Sequence, residues 1–207
     1  VICKRKNIKI VCVPMWEWFR GTDLEWRFVD WFLCPNQKAL DIVKSYGYGN
    51  ASKINWALDL NRFPKRKVRG KAKHFFHNAG IVDDDDRKGT FAAIKAFSKV
   101  KNPSIKLTVR IQKKTRLPPF QDNRVNIEVG NHSINQLYIN GDVAIQPSKM
   151  EGLGFMILEP ICCGIPVITN DIAPINEYGR QSIIRVKTEW FNRKSFPKVV
   201  AKIKHAN

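Results

Sequence analysis

An α/β fold built on a doubly wound parallel sheet is what this chain predicts, and three observations carry that expectation. From His74 onward, short apolar β-branched runs alternate with stretches that show helical hydrophobic spacing. A glycine-rich loop follows the fourth of those runs, where a parallel sheet presents ligands at the carboxyl ends of its strands. At 207 residues and 43% hydrophobic content the chain is long and apolar enough to bury a full core.

The elements follow in order. Ile8–Val13 (IKIVCV) is a short β-branched run and predicts a buried strand, stopped by Pro14 and followed by the aromatic cluster Trp16, Trp18 and Phe19. Phe28–Cys34 is a second apolar run closed by Pro35-Asn36, after which Gln37–Tyr46 predicts a helix ended by Gly47. Ile54–Asp59 leads into Phe63-Pro64 and a basic, structure-poor stretch from Lys65 to Lys73. The alternation then predicts strand His74–Asn78, helix Thr90–Val100, strands Ile105–Ile111 and Val125–Val129, helix Ser133–Asn140, strand Val143–Gln146, helix Phe155–Cys163 and strand Pro166–Thr169. Phe196–Ile203 has apolar residues at helical spacing and predicts a terminal helix. No internal repeat is present.

The most informative stretch runs Pro147-Ser148-Lys149-Met150-Glu151-Gly152-Leu153-Gly154-Phe155-Met156-Ile157-Leu158-Glu159-Pro160, then Gly164-Ile165-Pro166-Val167-Ile168. Glu151 and Glu159 flank a glycine turn, and eight helical steps would return the second to within roughly 80° of the first. Gly152 and Gly154 bare the backbone, so that N–H groups can converge on an anion at a helix N-terminus. The pattern suits a phosphorylated ligand whose hydroxyls are gripped by carboxylates. Pro160 is expected near the first turn of its helix, where its missing donor costs little.

This string of about twenty positions resembles the donor-site signature of the retaining glycosyltransferases of family 4 (glycosyl transferases group 1), which have the two-domain GT-B fold. The resemblance implies that residues 1–62 are the tail of an N-terminal, acceptor-side Rossmann-like domain plus hinge, with Ile54–Asp59 as its closing strand. Residues 63–192 would form the nucleotide-sugar-binding domain and 193–207 a C-terminal helix. The chain opens on Val1 rather than Met, so an upstream part carrying the rest of the acceptor half is expected.

A second signature supports the first. Phe76-His77-Asn78-Ala79-Gly80, then Asp83-Asp84-Asp85-Asp86-Arg87-Lys88-Gly89-Thr90, resembles the family's first βα loop in that domain, where a lysine binds the donor diphosphate. Lys88 is the expected cation for the leaving group, with Arg87 as helper. Ile81 follows Gly80 where many members carry an arginine. By the same resemblance Glu151 binds the sugar hydroxyls and steadies positive charge at the anomeric carbon. Gly152, Leu153, Gly154 and Phe155 supply amide donors, Glu159 holds the ribose, and Val129, Gly130 and Asn131 line the nucleobase; Glu177 is read as structural.

The implied activity is transfer of a hexose-like sugar from a nucleoside diphosphate to an acceptor (glycan, lipid or protein) with retention of configuration. A non-catalytic nucleotide-sugar-binding module and a GT-B sugar-nucleotide epimerase are the alternatives. No cofactor and no metal are expected. The run Asp83–Asp86 lacks calcium-loop spacing and reads as a solvated acidic loop, and His74, His77, His132 and His205 form no ligand set. Thirty-six Lys and Arg against 18 Asp and Glu give a net charge of +18, which suits nucleotide diphosphates and peripheral association with an anionic membrane face. No helix-turn-helix, zinc-finger or RNP-like motif supports nucleic acid. Cys3, Cys12, Cys34, Cys162 and Cys163 form no C-x-x-C pair and are read as reduced thiols, the last two as small core residues, in a cytoplasmic setting.

Overall fold

The structure is a computed structural model, and it describes residues 2–67, 70–115, 117, 119–179 and 182–187. The expected terminal helix at 193–207 lies outside these residues. The chain divides into two compact units, Val1–Ala57 with Glu151–Leu153, and Leu58–Met150 with the chain from Gly154 on.

The first unit opens with a single turn, α1 (Ile2–Arg5), and has a parallel three-stranded sheet in the order β1 (Val11–Cys12), β2 (Trp31–Cys34), β3 (Ala51–Lys53). The nine-residue helix α2 (Gln37–Ser45) covers it, burying Ala39, Leu40 and Val43. Asn36 caps that helix by accepting the Ala39 N–H. The core is aromatic: Phe19 and Phe32 meet edge to face with centroids 5.9 Å apart, among Trp26 and Tyr48. Two expectations fail here. Ile8–Val13 forms only a two-residue strand with Ile8, Val11 and Val13 exposed, because Val11 and Cys12 pair with β2 on one side alone. The strand expected at Ile54–Asp59 ends instead at Lys53, and Asp59 caps a 3₁₀ turn at Leu60–Arg62 by accepting the Asn61 N–H.

The second unit is a six-stranded, all-parallel sheet. Its strands are β4 (His74–Gly80), β5 (Lys106–Ile111), β6 (Val125–Val129), β7 (Val143–Gln146), β8 (Val167–Asn170) and β9 (Ile183–Val186). Their spatial order is β6-β5-β4-β7-β8-β9. The chain therefore starts at the middle, builds one half outward, and returns to build the other. The reversal point lies between β4 and β7, the place where such sheets bind ligands. The two strands share register only at Phe75 with Val143 and Phe76 with Ala144, whereas β4 and β5 pair from His74 to Gly80.

Alternation along the strands divides the core between the two sheet faces. Phe76 and Ala144 join Tyr138, Ile157, Ile165 and Val167 on one face. Phe75 and Ile145 pack with Ile94, Phe97, Leu107 and Val109 on the other. Helix α3 (Thr90–Ser98) covers the second of these faces; α4 (Ile134–Tyr138) and α5 (Phe155–Cys162) cover the first. Ser133 and Gln136 form a capping box at the start of α4. Cys163 is wholly buried as expected, while Cys162 is only partly so. Pro160 corrects its expectation: it sits in the second turn of α5, so the Met156 carbonyl loses its i+4 N–H donor there. The short helix continues because Cys163, Gly164 and Ile165 fold their amides back onto Glu159, Ile161 and Pro160 carbonyls.

Asp86 also departs from expectation. It is buried, with φ of 47°, and its carboxylate accepts the N–H groups of Thr90 at 2.7 Å and Phe91 at 3.0 Å. It is the side-chain cap of α3, which opens on a glycine that has none. Asp83 accepts the Arg87 N–H, so only Asp84 and Asp85 remain as simple solvated acids of the run. Asp86→Ala is expected to cost about 1–2 kcal/mol of stability, and Asp86→Asn less than that; urea midpoints measure both.

His77 ties β4 to its neighbours. It is fully buried, with Nδ1 2.7 Å from the Ile145 carbonyl on β7 and Nε2 3.0 Å from the Thr90 hydroxyl on α3. These partners assign Nδ1–H as donor and Nε2 as acceptor, a neutral ring. Burial pushes its pKa down to about 4 from 6.5; the Ile145 bond opposes this and the nearby Lys88 charge adds to it. Because the folded value is depressed, the unfolded chain takes up the proton first. The stability is therefore intact above pH 6.5 and is lost as pH falls toward 4. The loss amounts to about 3 kcal/mol. Urea midpoints between pH 7 and pH 4 are expected to fall less steeply in His77→Gln than in the native chain.

Candidate functional site at the sheet reversal

The two loops that follow β4 and β7 meet at the reversal point, and the structure stitches them together. The Lys149 N–H donates to the Arg87 carbonyl at 2.8 Å, and the Arg87 guanidinium donates from Nη1 to the Met150 carbonyl at 3.1 Å. Lys149 Nζ donates to the Asp85 carbonyl at 2.7 Å. Gly89 lies against Pro147 so closely that a Cβ would overlap the Pro147 carbonyl, and its φ of 71° is left-handed. The β4–α3 loop thus brings Arg87 and Lys88, both half-buried, to the β7–α5 loop. Gly80 ends β4 where the pairing with β5 shifts register, beside the exposed Ile81.

Both helices at this point open on a left-handed glycine, Gly89 for α3 and Gly154 for α5. They differ in what faces their first turns. The Thr90 and Phe91 amides of α3 are satisfied by Asp86. At α5 the cap is Gly154, with no side chain to offer, and Phe155 is exposed.

The predicted residues Glu151, Gly152 and Leu153 group with the first unit. Trp16 donates from Nε1 to the Glu151 carbonyl at 2.7 Å, and Asn36 donates from Nδ2 to the Gly152 carbonyl at 2.7 Å. A Cβ on Gly152 would overlap Met15 and Glu17. Glu151 is buried, and the glycine is required by that close approach. Trp16 and Asn36 were missed in the sequence. Asn36 is visible there as an N-cap after Pro35, but nothing in its spacing announces the second bond.

Glu159 is half-buried on α5, and it is held. The Tyr138 hydroxyl donates to its Oε2 at 2.5 Å. Burial raises the Glu159 pKa, against which the Tyr138 bond and the charge of Arg62 act. Tyr138 is fully buried; burial, then the Glu159 charge and bond, hold its hydroxyl protonated well above the usual phenol range. Next to them stands Arg110 of β5, itself buried. It donates from Nε to Glu128 Oε2 at 2.7 Å and from Nη1 to Asn78 Oδ1 at 3.3 Å and the Leu137 carbonyl at 3.1 Å. Asn78 Nδ2 is buried without a hydrogen-bond partner. A polar chain therefore runs from β6 through β5 and β4 to α4 and α5, and the sequence reading missed every member but Glu159. Val129, Gly130 and Asn131 stand at the carboxyl end of β6, with Val129 and Asn131 exposed and Gly130 at φ of 133°. Glu177 is exposed, on a 3₁₀ turn over Ile175–Glu177.

Among the described residues no three His, Cys, Asp or Glu side chains converge to hold a metal ion, and no helix is long and apolar enough to cross a membrane. All five cysteines are unpaired.

Comparison with known proteins bears on this architecture. Residues 123–204 match the family model of the glycosyl transferases group 1. No curated protein sequence matches the chain. Among solved structures, HepE of Anabaena in complex with UDP and glucose is similar at a TM-score of 0.66 and 15% identity, over 90% of this chain and 59% of that one. A glycosyltransferase from Rickettsia africae is similar at 0.64 and 13% identity, over 90% of this chain and 64% of that one. TarM is similar at 0.66 and 14% identity, over 88% of this chain and 41% of its own. The chain thus spans less than two thirds of the length of each of these structures. It has the α/β, Rossmann-like fold of the GT-B glycosyltransferases, and its residues 123–204 match group 1 of that class.

Proposed function

We propose that the chain is the donor-side part of a glycosyltransferase that takes a sugar from a nucleoside diphosphate and transfers it, with retention, to an acceptor hydroxyl. The observation that carries this reading is the junction at the sheet reversal. Two βα loops from adjacent central strands are bonded to each other there, bringing Arg87 and Lys88 to the loop that opens α5. An anionic leaving group needs cations whose effect grows as its bond to the sugar breaks.

In the proposed step the bond from the anomeric carbon to the diphosphate oxygen breaks and its electron pair stays on that oxygen. The acceptor oxygen bonds to the same face of the anomeric carbon, and the hydroxyl proton passes to the departing phosphate. Lys88 neutralises the diphosphate. Arg87 assists beside it. Gly152, Leu153, Gly154 and Phe155 supply backbone amides to phosphate and sugar. Glu151 receives the sugar hydroxyls and supports positive charge at the anomeric carbon. Glu159 receives the ribose hydroxyls, and Val129, Gly130 and Asn131 receive the base. With two cations and a helix start around the diphosphate, the proposal includes no metal and no cofactor. A hexose-like sugar, a cytoplasmic setting and electrostatic attachment to an anionic membrane face, which the +18 charge suits, belong to the same proposal.

Calorimetric titration with nucleoside diphosphates and their sugars tests it. Saturable binding of one nucleotide is expected, weakened about tenfold or more in Lys88→Ala and in Glu159→Ala, as fits loss of a charge-assisted hydrogen bond. Undiminished binding by both variants, or no binding by the folded chain, would overturn the donor site. Binding without transfer to any glycan, lipid or protein hydroxyl would favour a nucleotide-sugar-binding module.

A further inference from the structure

We infer that Tyr138 is a positioning residue for nucleotide recognition: it fixes the orientation of the Glu159 carboxylate and so sets the chain's preference for ribose over deoxyribose. This rests on the reading of Glu159 as the ribose contact.

A glutamate side chain at a helix surface rotates freely, and a carboxylate that must accept two adjacent hydroxyls loses affinity when it has to be ordered on binding. Here the ordering is built in. The Tyr138 ring is wholly buried and stands edge to face on Phe76, with centroids 5.9 Å apart, so the hydroxyl cannot turn to water. Its proton goes to Glu159 Oε2 at 2.5 Å. That assigns one lone pair of one oxygen to the protein and leaves Oε1 to a ligand.

The tyrosine is itself anchored from behind. Arg110 Nη1 bonds the carbonyl of the preceding residue, Leu137, at 3.1 Å, and the Asn78 oxygen at 3.3 Å. Glu128 on β6 holds the Arg110 Nε at 2.7 Å. The Asn78 amide nitrogen, buried and without a hydrogen-bond partner, lies near the Tyr138 oxygen, where its influence favours the ionised form of the phenol. Four elements of the sheet unit therefore fix the donor that fixes Glu159. A role in packing alone would need the ring but not its hydroxyl.

The test is calorimetry on the 207-residue chain with UDP, GDP, ADP and CDP, each against its 2′-deoxy counterpart, in the native protein, Tyr138→Phe, Glu159→Gln and the double variant. Phenylalanine keeps the ring on Phe76 and removes only the oxygen. The native chain is expected to prefer the ribonucleotide. Tyr138→Phe is expected to narrow that preference about tenfold, as fits loss of one hydrogen bond to a charged group, with affinity for the deoxy form unchanged. In the Glu159→Gln background the tyrosine change is expected to alter the preference no further. A Tyr138→Phe variant that keeps the native preference, or an effect that persists without Glu159, overturns the inference while the donor site stands. Nucleotide binding with no ribose preference in the native chain also overturns it, together with the role of Glu159. Absence of binding by any of the nucleotides removes the donor site itself, and the inference with it.

Discussion

The bonding between the β4–α3 and β7–α5 loops is the constraint from which the organisation of the sheet unit follows. Parallel strands bring their carboxyl ends to one edge, but they do not by themselves bring two loops into contact. Here a backbone bond from Lys149 to the Arg87 carbonyl, a guanidinium bond from Arg87 to Met150 and the overlap-free approach of Gly89 to Pro147 join loops separated by some sixty residues of chain. His77 adds a bridge beneath them, from Ile145 on β7 to Thr90 on α3. With the loops joined, the positions of both helix starts are set, and with them those of Lys88 and Gly154. A side chain at position 89 would push the loops apart and would have to adopt a left-handed backbone as well.

Buried polarity in this unit is concentrated at the same carboxyl edge. Asp86, His77, Asn78, Arg110, Gln146, Ser148, Thr169 and Asn170 are all nearly inaccessible, and all but His77, at mid-strand, lie in the last residues of a strand or the loop after it. Burying such groups is unfavourable unless partners are supplied, and several of them retain an unpartnered atom: Asn78 Nδ2, both amide atoms of Gln146, Ser148 Oγ and Asn170 Oδ1. Among the described residues the opposite ends of the strands carry no comparable buried set. Sites that recognise ligands are where a fold tolerates this kind of cost.

The sheet unit was legible in the sequence because its signals are redundant. Val125–Val129 and Val143–Gln146 were bounded correctly from β-branched runs between turn residues, and the helix expected over Ser133–Asn140 forms as α4. The first unit was less legible: Ile8–Val13 looks like a core strand, yet it pairs on one side only, and burial is a property of neighbours rather than of composition. Asp86 was hidden inside a run of four aspartates, where composition suggests solvent and only the left-handed backbone at one position turns a carboxylate back onto a helix start. Tyr138, Arg110 and Asn78 come from three different elements, so no spacing along the chain links them. The strand β9 was overlooked because its run, Ile183–Val186, follows a stretch without clear periodicity.

The brevity of the ladder between β4 and β7 gives the sheet a seam. These strands run in register through two residue pairs only, below the level at which their loops are joined, while the ladders on either side are longer. Above Phe76 and Ala144 the two halves of the sheet are held by side chains and loops rather than by continuous backbone pairing. The edge that carries Lys88 and Gly154 is thereby fixed across this line by bonds between loops and not by strand pairing.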